Sequence, residues 1–222
     1  MVLGEGAGCV VLEEFEHARR RGAPMYAELE GWGFTCDAYS MAKPLESGAQ
    51  QGRAIGQTLA SAHWFPEEVD YINACGLGTI DLDAAETSAI KHAFGNQAYR
   101  IPVSSLKGAL GHAFAASGAF QVIGTALALE HQFIPPTLHL TMPDPLCDLD
   151  YVALTGRPAR IRRALINSFG FGGKNIVLAL SHVNALAPHD RLLRTSDWDA
   201  IHNQPIGAAL ARSLRTSLAQ WK

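Results

Sequence analysis

Three times along the chain a short apolar run ends in a polar loop that carries glycine. Residues 69–74 lead into Cys75-Gly-Leu-Gly-Thr79, residues 101–105 into Lys107-Gly-Ala-Leu-Gly-His112, and residues 164–169 into Gly170-Phe-Gly-Gly-Lys-Asn175. Apolar runs of this length, rich in branched side chains and bounded by glycine, read as buried strands. Between them lie stretches with helical spacing. Residues 51–62 place Ile55, Leu59 and Ala62 on one face, and residues 83–94 carry Ala84, Ala85, Ile90, Ala93 and Phe94, with Asp81 and Asp83 suited to cap the start and Gly95 to stop the end. Strands alternating with helices predict an α/β layered fold.

The remaining segments fit the same scheme. Residues 9–12 read as a short buried strand running into a charged helix at 13–21 that Gly22 ends, and residues 25–34 as a longer strand. Pro66-Glu-Glu68 marks a turn. Residues 113–129 are the most apolar stretch, but Ser117, Gly118 and Gln121 interrupt it, and it falls short of the roughly 20 apolar residues of a membrane span. It predicts a buried core helix. A proline-rich loop around Pro135, Pro136, Pro143 and Pro145 precedes two strands at 164–169 and 176–180, joined as a hairpin. Beyond Val183 the chain turns polar, with a helix predicted at 206–221. A domain opening on Gly4-Glu-Gly-Ala-Gly8, with no element before it, predicts a structural unit that begins upstream of Met1.

With 222 residues, 48% hydrophobic and 18% charged, the chain has the composition of a folded protein with a sizeable core. A net charge of −3 provides no basic field for nucleic acid or an anionic membrane. Cys9, Cys36, Cys75 and Cys147 are scattered, with no Cys/His grouping at zinc spacing, so neither disulfides nor a metal site is expected. The first residues lack the basic and apolar regions of a signal peptide, which predicts a cytoplasmic protein.

In open α/β sheets ligands bind beyond the carboxyl ends of strands, so the three loops together form the candidate site. His112 has the right pKa range for a general acid, base or hydrogen-bond donor; taken alone, it equally suits a core histidine satisfied by backbone. Lys107 can orient a carboxylate or lower a neighbour's pKa, or lie solvated on the surface. Cys75 is a nucleophile if a cation lowers its pKa, and otherwise an inert buried thiol, the commoner outcome. Neither Gly4-Glu-Gly-Ala-Gly8 nor Gly172-Gly-Lys174 matches a nucleotide-binding loop, since the first follows no strand and the second has Asn175 where Ser or Thr is required.

At these loops the chain resembles the elongating β-ketoacyl-acyl-carrier-protein synthases. The resemblance rests on Ile72-Asn-Ala-Cys-Gly-Leu-Gly-Thr79, Asp83-Ala-Ala-Glu-Thr87, Pro102-Val-Ser-Ser-Leu-Lys-Gly-Ala-Leu-Gly-His112, Pro135-Pro-Thr137, Pro143-Asp-Pro145 and Asn167-Ser-Phe-Gly-Phe-Gly-Gly-Lys-Asn175, in order. It implies a thiolase-like αβα fold of two related halves. Residues 1–34 would be the end of the first half, 35–183 the second half, and 184–222 an extension of unassigned role. It implies decarboxylating Claisen condensation of malonyl-acyl-carrier protein with an acyl group held on a cysteine of the first half. No free cofactor is needed, because the substrate travels on the carrier protein's phosphopantetheine. Expected partners are the acyl carrier protein and a second subunit, in a homodimer or a ketosynthase heterodimer.

The family pattern assigns His112 and Lys107 to a K-x-x-x-G-H loop that assists decarboxylation. It places Gly170, Phe171 and Gly172 in the loop that gates acyl entry and helps hold the oxyanion. The H-G-T-G-T loop departs from that pattern: Cys75 stands for histidine and Leu77 for the first threonine, while Thr79 is retained to hold the pantetheine arm. A neutral thiol donates weakly and carries no charge, and losing one such donor costs on the order of 100-fold in rate. Three functions are therefore expected to compete: a condensing enzyme half with a modified site, a non-catalytic partner similar to a chain-length factor, and a thiol acyltransferase or hydrolase using Cys75 with His112 as base.

Overall fold

The central strands are apolar at successive positions because both faces of the sheet are covered. In this computed structural model, which describes residues 1–184, the elements in chain order are α1 (Phe15–Arg20), β1 (Glu28–Cys36), α2 (Ala49–Ala62), β2 (Tyr71–Asn73), α3 (Ile80–Phe94), β3 (Val103–Ser104), α4 (Lys107–Leu110), α5 (Ser117–His131), β4 (Phe133–Ile134), β5 (Arg157–Pro158), β6 (Arg163–Gly170) and β7 (Lys174–Ser181). Five strands form one mixed sheet in the order β1-β7-β6-β2-β3. β2 runs parallel to β3 and β6, whereas β7 is antiparallel to both β6 and β1. On one face Ile72, Leu165, Val177 and Ala179 pack with Ile55 and Leu59 of α2 and Ile90 and Phe94 of α3. On the other, Tyr71, Ala164, Ile166 and Leu180 pack with Ala128 and Leu129 of α5. Helices on both faces make three layers.

β1 is an edge strand, and α2 closes on it. A Cβ at Gly33 would lie 2.1 Å from the Ala54 carbonyl oxygen, so only glycine permits this approach. The edge amides of Trp32 and Phe34 donate to Ser61 Oγ (3.4 Å) and Gln57 Oε1 (3.2 Å) of α2, so they are not left open for another chain. The boundary expected between residues 34 and 35 falls inside β1, which pairs with β7 from Glu28 to Cys36.

Two expectations are corrected. Residues 9–12 form no strand; Val11 and Leu12 are exposed, and among the described residues no strand pairs with them. The preceding residues lie along α5 and the loop before it, with Gly4 N donating to His112 O at 3.1 Å and His112 N to Val2 O at 2.8 Å. Second, the apolar stretch at 113–129 becomes helical as α5 only from Ser117, and the side it buries begins with polar residues: Ser117, Gln121 and Thr125, followed by Ala128 and Leu129. Strand ends present carbonyls and the Asn73 amide that need partners, and this demand sets the helix's rotation. Phe120 and Ile123 are only half-buried and Leu127 is exposed. Among the described residues no helix is long and apolar enough to cross a membrane. The chain divides into Met1–Val183 and Asn184–Lys222, and the helix expected at 206–221 lies outside the described residues.

Candidate functional site

The loop after β2 is held from below by two carboxylates on the first turns of α3. Glu86 is fully buried and accepts from Cys75 N (2.9 Å), Gly76 N (2.8 Å) and Asn167 Nδ2 (2.9 Å). Asp83 accepts from Leu77 N at 2.9 Å. Burial pushes both carboxyls above their ordinary range, and the donated N–H groups partly offset it. Asp83 thus satisfies amides ahead of its helix as expected, although the residue in the cap position is Thr79. Gln121 Nε2 ties α5 to two strand ends by donating to Ala74 O (3.0 Å) and Asn167 O (2.9 Å), while Asn73 Nδ2 donates to Thr125 Oγ1 at 2.9 Å.

Above this platform is a cleft of about 220 Å³. It brings together Cys75, Leu77, Lys107, His112, Gly170, Phe171 and Gly172 from all three loops. The Lys107 ammonium donates to the Cys75 carbonyl at 2.5 Å. His112 Nδ1 pairs with Ser117 Oγ at 3.0 Å. Its pKa is lowered by burial and, second, by the Lys107 charge, which favours the neutral imidazole. Cys75 is buried, and its Sγ donates to Phe169 O at 3.3 Å. Burial pushes this thiol up to about 11 even though Lys107 pulls the other way. That shift and the bond to Phe169 O disfavour a thiolate there, and both weigh against the thiol acyltransferase reading. Thr79 does not line the cleft; its hydroxyl is shielded and has no hydrogen-bond partner among the described residues.

The β6–β7 turn forms the opposite rim, with Phe171 half-exposed at its tip. It is clamped to the segment after β1: Gly172 N donates to Met41 O (2.8 Å), Asp37 N to Gly173 O (2.8 Å), and Asn175 Nδ2 to Asp37 Oδ1 (2.7 Å). Gly173 has φ +71° and sits where a Cβ would lie 2.7 Å from the Asp37 Cβ. Sequence reasoning did not select Asp37, Glu86, Ser117 or Gln121. The i, i+3 spacing of Asp83 and Glu86 directly after a glycine loop was the available signal. No group of three or more His, Cys, Asp or Glu side chains stands at metal-binding geometry among the described residues.

Residues 26–141 match the family described as beta-ketoacyl synthase, C-terminal domain. The chain belongs to the β-ketoacyl synthase family. Its ketosynthase region is 47% identical over 178 residues to 3-oxoacyl-(acyl-carrier-protein) synthase 2 of Synechocystis sp., covering 80% of this chain and 43% of that protein. It is 48% identical over 180 residues to a putative polyketide beta-ketoacyl synthase 1 of Streptomyces virginiae, covering 81% and 43%. Among solved structures it is similar to the ketosynthase in a type II PKS acyl-carrier-protein complex (TM-score 0.76, 40% identity, 78% of this chain and 42% of that one). It is also similar to the ishigamide ketosynthase/chain length factor (TM-score 0.78, 38% identity, 82% and 44%). The three layers are therefore those of the thiolase-like ketosynthase fold, and the matched region is its C-terminal part. The chain spans less than half the length of these relatives.

Proposed function

We propose that this chain supplies the malonyl-handling half of a β-ketoacyl-acyl-carrier-protein synthase of fatty-acid or polyketide biosynthesis, joined to a first half that holds the acyl-bearing cysteine. The observation that carries this reading is the convergence of Lys107, His112 and the Gly170–Gly172 turn on one cleft. In the reaction, a malonyl thioester loses carbon dioxide, and the electron pair of the broken C–C bond becomes an enolate. That enolate attacks the acyl thioester carbonyl, forming the new C–C bond and expelling the cysteine thiolate. Neutral His112 donates to the developing enolate oxygen. Lys107 positions the loop through the Cys75 carbonyl. Cys75 contributes main chain only, because its S–H is committed to Phe169 O. The substrate arrives on an acyl carrier protein, and the ketosynthase in one similar structure is bound to such a protein.

The test is to combine the chain with the first half of a similar ketosynthase and measure carbon dioxide release from malonyl-acyl-carrier protein. Expected is slow release that Cys75→His raises by about 100-fold and His112→Ala abolishes. Absence of release from every combination overturns the reading.

The silent side chain of Cys75 supports a second reading, a partner similar to a chain-length factor that pairs with an active ketosynthase and shapes its product. Two similar structures are described as ketosynthases with chain length factors. Co-purification with an active ketosynthase and a changed product length would support it, and failure of both would overturn it.

A further inference from the structure

One polar side chain in the wall of the cleft has no role in the scheme above. Gln51, in the first turn of α2, is 1% exposed and shares the cleft lining with Leu77, Leu82 and Phe169. Its side-chain oxygen has no hydrogen-bond partner among the described residues. Two other polar groups of the lining are already engaged: Asn175 Nδ2 donates to Asp37 Oδ1, and the Lys107 ammonium to Cys75 O. The helix does not need this amide, since α2 starts at Gly48 with no side-chain cap and the neighbouring Gln50 carbonyl is taken by Thr35 Oγ1. A buried amide without a partner is disfavoured over an apolar side chain of the same volume unless a ligand completes it.

We propose that Gln51 is a specificity-determining residue whose amide hydrogen-bonds a donor on the bound thioester, selecting a hydroxylated acyl chain over a saturated one. This rests on the cleft being a thioester site, as argued above. A hydroxyl suits the place because it both donates and accepts, so it satisfies the amide in either orientation. The pantetheine arm also carries O–H and N–H donors, but Leu82, Phe169 and Phe171 in the lining favour the acyl chain as their source.

The experiment is calorimetric titration of the full 222-residue chain with octanoyl-pantetheine and with analogues bearing a hydroxyl on carbon three, five or seven. Wild type is compared with Gln51→Leu and Gln51→Met. At least one hydroxylated analogue is expected to bind wild type about 3- to 10-fold more tightly than octanoyl-pantetheine. Both variants should lose that preference, keep their affinity for octanoyl-pantetheine, and melt at or above the wild-type temperature, as removal of an unpaired amide requires. An equal loss of affinity for all the thioesters in the variants would move the donor to the pantetheine arm and overturn the selection for hydroxylated chains. Binding without preference, unchanged by either variant, overturns the role of Gln51. If no pantetheine thioester binds at all, the thioester site itself falls with it.

Discussion

Burial lowers the pKa of one titratable side chain of the cleft and raises that of another, and each shift is open to measurement. Cys75 is pushed up to about 11 mainly by burial, which favours its thiol form at pH 8. Iodoacetamide at that pH is expected to label the exposed Cys9 and Cys36 in the folded protein and Cys75 only after unfolding, read by peptide mass spectrometry. His112 is displaced the other way, below its ordinary 6.5. Its ring resonances should titrate with a midpoint under 6.5, and Lys107→Met should move the midpoint upward. Because the folded pKa is below the unfolded one, the native state binds fewer protons in that window. Stability therefore falls as pH drops through it, and His112→Asn should weaken this acid sensitivity. Sequence reading placed His112 and Lys107 on one glycine loop, and both line the cleft. It left the state of Cys75 open, because the state depends on Phe169 and Glu86, which are distant in the chain.

At the scale of elements, the contact between α2 and β1 depends on missing side chains. Gly33→Ala sets a methyl against the Ala54 carbonyl, and overpacking of this kind costs about 1–3 kcal/mol. Urea unfolding should show that loss with an unchanged m-value. The helical spacing of Ile55, Leu59 and Ala62 made α2 legible, and so did the apolar runs of β2, β6 and β7. α5 was legible as a helix but not in its orientation. Hydropathy predicts that an apolar stretch turns its apolar side inward, whereas Gln121 and Thr125 turn inward here to meet Ala74 O, Asn167 O and Asn73 Nδ2. The misread strand at 9–12 has a similar origin, since apolar character allows a strand but only a neighbouring edge makes one.

Over the described residues as a whole, apolar side chains remain uncovered along the first residues, the turn before α5 and α5 itself: Val2, Leu3, Val11, Leu12, Phe114 and Leu127 are all exposed. A surface of this kind calls for a cover. The chain alone is expected to bind an apolar dye and to associate with rising concentration in light scattering, and co-expression with the first half of a similar ketosynthase should suppress both. What the sequence determined by itself was local and ordered: the strand and helix runs, the three glycine loops after strands, and the motifs that mark a ketosynthase. These follow from short-range periodicity and from residue types at fixed spacing. Only the tertiary structure decided that the loops share one cleft, that Glu86 and Asp83 hold the first of them, that the Cys75 thiol turns to Phe169, and that an unpartnered Gln51 lines the wall. Each of these depends on contacts between residues far apart in the chain, where burial and hydrogen-bond demand, rather than periodicity, select the arrangement.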